Sequence, residues 1–386
     1  MPFLSFSKRQ QFINSRLLIK SAVDEFIGGN MKHTVTRALI AAALITAAVF
    51  LLSCEQNITK KADFNTAVQN LAFKAIVKKG TKADIVITDD SSWSTYCDGG
   101  EDTYITGRFL FKGAFLNGRK VRLSPFELAQ HEVTQELYEA VMGYNPSSFK
   151  TGGQRPVEMV NWYAAVVFCN KLSLKMGLEP YYSIQDKTID WEDIQYDEIP
   201  TEKTSAEERK AWDKVICNTS GRGFRLPTEA EWEFAARGGT VTDAAWKYAF
   251  AGTQCAQLNP AQFYENTKNG DTNLNEYGWY KGNSGNKTHA VGSKRPNRLG
   301  LYDMSGNVQE WCFDWAAAIN ISGATEENPC GGPRPSSVGE PSRITRGGSF
   351  YEKAYDCAVS RVNWYYPYRR DTNYIGIRLA RSLPES

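Results

Sequence analysis

Thiols and imidazoles, the side chains that most often carry covalent or metal chemistry, are sparse in this chain and badly spaced for either. No two of Cys97, Cys169, Cys217, Cys255, Cys312, Cys330 and Cys357 form a C-x-x-C pair, so zinc and thioredoxin-like sites have no motif to build on. His131-Glu132-Val133-Thr134-Gln135 starts like a zinc-protease helix, but Gln135 stands where a second ligand is required. His131 and His289 therefore read as ordinary loop or strand residues. The stronger signal is noncovalent. Between Arg346-Gly347-Gly348-Ser349 and Ile375-Gly376-Ile377-Arg378-Leu379 the chain packs Phe350, Tyr351, Tyr355, Trp364, Tyr365, Tyr366, Tyr368 and Tyr374 among charged residues, with neither a strand nor a helix period. Tyr and Trp offer wide amphipathic contact area with two side-chain torsions to immobilise, which suits a surface built to bind partners. A core strand would not contain Glu352, Lys353, Asp356, Arg369, Arg370 and Asp371, because such charges are rarely buried unpaired.

The elements that would carry this segment are punctuated clearly further upstream. Thr134 can cap a helix through Leu137 and Ala140 that stops at Gly143, and Asn161 can cap a second from Trp162 to Lys175 ending at Gly177. Thr228-Glu229-Ala230-Glu231 is a capping box that opens a third helix, closed by Gly238-Gly239. Alternating stretches around Thr103 to Phe111 and Lys120 to Phe126 predict antiparallel strands, with turns at Asn117-Gly118 and Ser124-Pro125. Gln185 to Asp213 is highly charged and predicts a solvent-exposed insertion. From Ala244 onward Gly, Asn and Trp abound and helical periodicity is scarce, so irregular loops and short strands must be held by metal ions, tryptophan packing or disulfides. Trp311 and Trp315 read as core.

The 386 residues suffice for one large domain or two small ones, and 45 Lys and Arg against 43 Asp and Glu leave no net field to recruit nucleic acid. The amino-terminal pattern points to export. Met31-Lys32-His33 and Arg37 precede the apolar run Ala38 to Leu52, which ends in Leu51-Leu52-Ser53-Cys54, a signal peptide with a lipobox. Ala38 to Ser53 as a helix spans only about 24 Å, short of the roughly 30 Å hydrocarbon core. The expected organisation is an upstream mis-start at 1–30, a lipoprotein signal at 31–53, a lipidated tether at 54–92 attached through Cys54, and a folded domain at 93–386. The tether is polar and Lys-rich, with room for one short strand. The protein would sit at the outer membrane or cell surface, held by lipid.

Phe224-Arg225-Leu226-Pro227-Thr228-Glu229-Ala230-Glu231-Trp232 and its continuation to Gly239 resemble the signature of the formylglycine-generating enzyme (sulfatase-modifying factor) family. Matching segments follow in order: Thr288 to Gly292, Leu299 to Trp311, Arg346 to Ser349, and Gly376-Ile377-Arg378. With Glu132-Val133-Thr134 and the Trp162 to Leu174 helix, the resemblance covers about Thr103 to Ala380. It implies an α+β, C-type lectin-like fold of the formylglycine-generating enzyme type, with few helices, short antiparallel strands and largely irregular loops. Enzymes of that family use two cysteines, three and eight residues after the Ser of Gly-Gly-Ser, to bind copper; Glu352 and Cys357 hold those positions here. One thiolate cannot supply the two-sulfur site that Cu(I) prefers. A branch that uses iron held by a histidine cluster is matched no better by His131 and His289.

A non-catalytic branch of the same fold, the variable proteins of diversity-generating retroelements, is similar in a further way. Its framework reads as Arg-Gly-Gly-Ser, a mixed stretch, a Cys-Ala-Val-Ser-like strand, a Pro with Arg three residues later, and Gly-Phe-Arg-Leu. Here stand Cys357-Ala358-Val359-Ser360, Pro367 with Arg370, and Gly376-Ile377-Arg378-Leu379, with Ile377 for the usual Phe and Val362 where Arg is common. The resemblance implies a diversified region at 347–379. In it Phe350, Tyr351, Glu352, Lys353, Tyr355, Asp356, Arg361, Asn363, Trp364, Tyr365, Tyr366, Tyr368, Arg369, Asp371, Thr372 and Tyr374 would converge on one ligand-binding face, with Trp364, Tyr366 and Tyr351 as anchors. An external protein ligand fits the mixed charge first and a glycan second; nucleic acid fits poorly. No cofactor is required. The Gly306 to Trp311 loop resembles a calcium-binding segment of the enzymes, which would make Asn307 and Glu310 ligands of a structural Ca2+; the same side chains could simply bond loop amides. The competing function is an oxidase of the formylglycine-generating type with altered chemistry at Cys357.

Overall fold

The computed structural model describes residues 63–86, 113–255, 270–319, 321–330, 334–335 and 340–384. The expected mis-start, signal peptide and Cys54, and the strand expected around Thr103 to Phe111, lie outside them. Among the described residues the five α-helices are α1 (Phe64–Gln69), α2 (Gln135–Met142), α3 (Trp162–Lys175), α4 (Ala206–Trp212) and α5 (Glu229–Ala236). The three anticipated helices are among them, with the anticipated caps. Leu137 N donates to Thr134 Oγ1 at 3.2 Å, Ala164 N to Asn161 Oδ1 at 2.8 Å, and Thr228 and Glu231 satisfy each other's amides at 2.9 and 3.2 Å. Gly143 ends α2 in the left-handed region, φ 82°, where a side chain would be strained. Helix α3 is apolar on nearly all sides and is buried from Trp162 to Ser173, so it forms the axis of the larger core.

Short strands make up four sheets among the described residues. One sheet has the order β1 (Phe73–Val77), β4 (Phe126–Ala129), β13 (Ala380–Ser382), β7 (Phe224–Arg225), and all its pairs are antiparallel. A second has the order β11 (Asn363–Tyr365), β10 (Arg343–Arg346), β8 (Gln309–Trp315), β12 (Ile375–Gly376), with β12 parallel to β8. Strands β2 (Ala83–Val86), β3 (Lys120–Leu123) and β9 (Thr325–Glu327) form a third, and β5 (Tyr182–Ile184) with β6 (Val215–Cys217) a two-stranded antiparallel sheet that spans the insertion. The α+β expectation holds; two strand pairs, β12 with β8 and β9 with β3, are parallel rather than antiparallel.

Two boundaries shift. The described part of the expected tether, residues 63–86, is built into the domain: β1 is the edge strand of the first sheet, β2 pairs with β3, and Val77 and Ile85 are buried. Ile76, Val77 and Ile85 face inward while Lys78, Lys79 and Lys82 stay outside, so a Lys-rich composition concealed two strands. The Gln185–Asp213 insertion is exposed through its charges but pinned by Trp191, Ile194, Ile199 and Trp212, which join the α3 core. Trp311 and Trp315 are buried, as expected of core residues.

Candidate ligand-binding site

The motif residues build a buried polar frame beneath the carboxyl-terminal segment. Arg346 of β10 is fully buried, pairs with Glu233 of α5 and donates to the carbonyls of Val359, Ser360 and Arg361 at 2.7, 3.2 and 2.6 Å. Arg237 braces the same carboxylate at 2.7 Å. Arg378 grips Glu310 with contacts of 2.7 to 2.9 Å and donates to the Ala129 and Tyr302 carbonyls, while Trp232 Nε1 donates to Glu310 at 2.6 Å. Buried guanidinium–carboxylate pairs are favoured when the remaining donors are also bonded; here Nη1 and Nη2 of both arginines hold loop carbonyls, and Arg346 Nε alone is left without a partner. The mixed segment is thus tied to its sheet by these buried side chains. At Gly348, φ 70°, a Cβ would lie 2.7 Å from Cys357 Cα and Sγ, which explains the glycine in this turn.

On this frame one aromatic group comes together from three separate stretches. Tyr351 stacks on Tyr374 with centroids 6.2 Å apart, Tyr374 meets Tyr365 edge-on at 5.8 Å, and Tyr365 rests against Trp311 at 6.4 Å. Tyr351 is 55 % exposed, and Lys281 Nζ lies 5.5 Å from its ring centroid. Below the rings sits Glu352. Its carboxylate accepts from Gln309 Nε2 at 2.9 Å and from the Ser349 hydroxyl at 3.1 Å, and Thr345 in turn donates to Gln309. Burial, followed by the charge of Asp356, pushes the Glu352 carboxyl up to about 7. Burial and the neighbouring Glu352 likewise push the Tyr365 hydroxyl up. The result is a ring-lined surface over a carboxyl group that can either donate or accept a hydrogen bond near neutral pH.

A second group lies beside the first along the chain. Tyr366, 39 % exposed, stacks on Tyr368 at 5.4 Å; Arg209 of α4 lies over the Tyr368 ring at 4.4 Å and pairs with Glu340, to which the Tyr368 hydroxyl also donates. Arg369 and Asp371 form an exposed pair at 2.5 Å, and Arg370 lies over the Tyr196 ring at 4.2 Å.

The sixteen expected contact residues therefore do not all share one face. Phe350 is buried edge-on against Phe149, Thr372 is buried with its carbonyl accepting from Met159 N, and Asn363 is buried in β11 opposite Thr345. None of these three can be a surface contact, because the backbone turns them into the domain. Trp364, expected as an anchor, packs half-buried against the smaller core beside α5 and β8. Tyr355 packs on a separate cluster around Cys357, with Lys353 over its ring, and Asp356 pairs with Arg361 at 3.3 Å. What remains outward is Tyr351, Tyr365, Tyr366, Tyr368, Arg369, Asp371 and Tyr374, with the Glu352 carboxyl beneath the rings. Sequence reasoning missed Gln309, Lys281, Arg209 and Glu340. Gln309 lies inside a quoted motif, but nothing local connects it to Glu352, 43 residues away.

The residues proposed for metal are otherwise engaged. Both oxygens of Glu310 face Arg378, Asn307 Oδ1 accepts from His289 N at 3.0 Å, and Asn307 Nδ2 donates to Glu132 at 2.7 Å. With these partners Asn307 and Glu310 bond the surrounding loop and Arg378, and neither offers a carboxylate or amide oxygen free of a protein donor. Among the described residues no group of three or more His, Cys, Asp or Glu is arranged to hold a metal. His289 stacks on Trp279 at 3.7 Å and His131 on Tyr302 at 4.8 Å, which gives both imidazoles packing roles. Cys357 is fully buried, and burial holds its thiol well above the usual range, away from the nucleophilic thiolate form.

Fold and frame together define a domain of the sulfatase-modifying factor enzyme 1-like type, and the chain belongs to that family, which it matches over residues 105–383. Among solved structures it is similar to Treponema denticola variable protein 1, at 36% identity and a TM-score of 0.58, over 81% of this chain and 99% of that one. Among characterised sequences it is 34% identical to the chaperone protein LppX of Paenibacillus barcinonensis over 72% of this chain and 87% of that protein. It is 36% identical to the formylglycine-generating enzyme of Thermomonospora curvata over 39% of this chain and 46% of the enzyme.

Proposed function

We propose that this protein is a lipid-anchored, surface-displayed binding protein whose ligand contacts Tyr351, Tyr365, Tyr366 and Tyr374 and the carboxyl group of Glu352. The observation that carries this reading is the convergence of Tyr351, Tyr365 and Tyr374, from three separate stretches of the mixed segment, over one hydrogen-bonded carboxyl. Half-exposed tyrosines above a polar floor suit a protein ligand, with a glycan second, and Tyr351 and Tyr366 are the anchors expected to contribute about 2 kcal/mol or more each. The likeness to a variable protein supports a diversified role for residues 347–379. The oxidase alternative is opposed by Glu352 at the position of the first family cysteine and by the sealed Cys357 thiol, whose ionisation burial disfavours.

The neighbouring DNA tests the diversified surface. A reverse-transcriptase gene should lie beside a near-copy of the codons for Gly347 to Leu379, with adenines in the copy wherever the two differ. Differences confined to the codons of Phe350, Asn363 and Thr372, which face inward, would refute the binding face described here. Oxygen consumption with a Cys-containing sulfatase peptide that is abolished by Cys357→Ala would establish the oxidase instead. For the anchor, labelled palmitate should enter the wild-type protein and not Cys54→Ala; equal membrane retention of both would remove the lipid from the proposal.

A further inference from the structure

A cavity of about 520 Å3 opens on another part of the domain, where the β5–β6 sheet meets β7 and the end of β13. Tyr181, Tyr182 and Phe313 wall it, with the Tyr182 and Phe313 rings parallel at 5.5 Å. Cys217 and Cys330 also line it. Of the six thiols among the described residues, Cys169, Cys255, Cys312 and Cys357 are buried; only Cys217 and Cys330 reach solvent, and both do so here. Their backbones are held independently. Cys217 ends β6, in register with Tyr182 of β5. Cys330 follows Asn328, whose side chain accepts from Ser124 N at 2.7 Å and donates to Ser124 Oγ at 2.9 Å, just beyond β9.

We propose that Cys217 and Cys330 are a disulfide-forming pair that ties the segment after β9 to the β5–β6 sheet and so closes one wall of this cavity. The co-reactant is a small-molecule disulfide. The exposed Cys330, as thiolate, attacks one of its sulfurs and expels one thiolate, leaving a mixed disulfide on Cys330. Cys217 then gives up its proton to water and displaces the second thiolate, forming the internal S–S bond. Two protein thiols are oxidised, the external disulfide is reduced to two thiols, and two electrons change hands. The two thiols share the lining of this one cavity. Burial, followed by Cys330, pushes the Cys217 thiol up to about 12 and burial raises that of Cys330, so the exchange is faster as pH rises.

The test uses the full chain and oxidised glutathione. After incubation, free thiols are blocked with iodoacetamide and the protein is mapped by mass spectrometry without reduction. A linked Cys217–Cys330 peptide is expected in wild type, a glutathione adduct on Cys330 in Cys217→Ser, and alkylated Cys217 in Cys330→Ser. Wild type that stops at the glutathione adduct, with Cys217 still alkylated, or that links Cys330 to another cysteine, overturns the proposal. Dibromobimane, which fluoresces only after bridging two adjacent thiols, gives a second readout on the reduced protein: wild-type fluorescence should fall at least several-fold in either serine variant. Equal fluorescence in all three proteins would also overturn it.

Discussion

Replacing Glu352 by Gln should remove a pH-dependent part of the protein's stability and leave its shape intact. Gln is close to isosteric with protonated Glu, so it can keep one acceptor toward Gln309 while Ser349 reorients its hydroxyl. In the wild type the carboxyl rises from its ordinary 4.5 to about 7 on folding, because burial and Asp356 disfavour the charge. A folded-state value above the unfolded one means the native protein binds the proton more tightly. The corresponding stability is present in full below pH 4.5 and is lost as pH rises through about 7. A shift of this size corresponds to at most about 3 kcal/mol, and partial solvent access reduces the expected reading to about 1–2 kcal/mol. The assay is urea denaturation of wild type and Glu352→Gln at about pH 4.5 and about pH 8, compared as the difference between the two proteins. That difference cancels other groups that titrate in this range, such as Asp303, which burial pushes up to about 6, and His131, which burial pushes down to about 4. The variant should gain on the wild type by about 1–2 kcal/mol between the two pH values. Two profiles that run parallel would refute the buried, near-neutral carboxyl on which the site's hydrogen-bonding versatility depends.

Arg378→Met should cost about 3–5 kcal/mol, read as a lower denaturation midpoint, because Glu310 would be left buried without its cation. The loss should grow with rising pH, since burial and the charges of Asp303 and Glu310 already hold the Glu132 carboxyl well above its usual range and Arg378 is what offsets them. Adding a chelator should leave the melting temperature unchanged, because Asn307 and Glu310 are committed to protein partners; a fall that calcium reverses would restore the metal site. Tyr351→Ala should change stability by less than about 1 kcal/mol, because the ring is 55 % exposed, while abolishing most ligand binding in the same protein; a large loss of stability would make Tyr351 a packing residue instead.

Much of the fold was legible because its signals are local. A cap and its amide lie three residues apart, as in Thr134 with Leu137, Asn161 with Ala164 and Thr228 with Glu231, so the side chain that starts a helix is written beside it. The motif strings likewise announced the family and its loop-rich architecture before any contact was known. Composition misled at residues 63–86, where lysines on the outer face hid two strands whose inward positions are apolar.

What the sequence by itself determined is that residues 347–379 are too aromatic and too charged for a simple core strand. Only the tertiary structure decided which of those rings face outward. In a segment with no helix or strand period, neighbouring residues carry no rule for the direction of a side chain. Direction is set instead by distant partners: Arg346 reaching α5, Arg378 reaching Glu310, and Gln309 meeting Glu352 across 43 residues. These partners turned Phe350, Asn363 and Thr372 inward and left Tyr351 and Tyr366 at the surface.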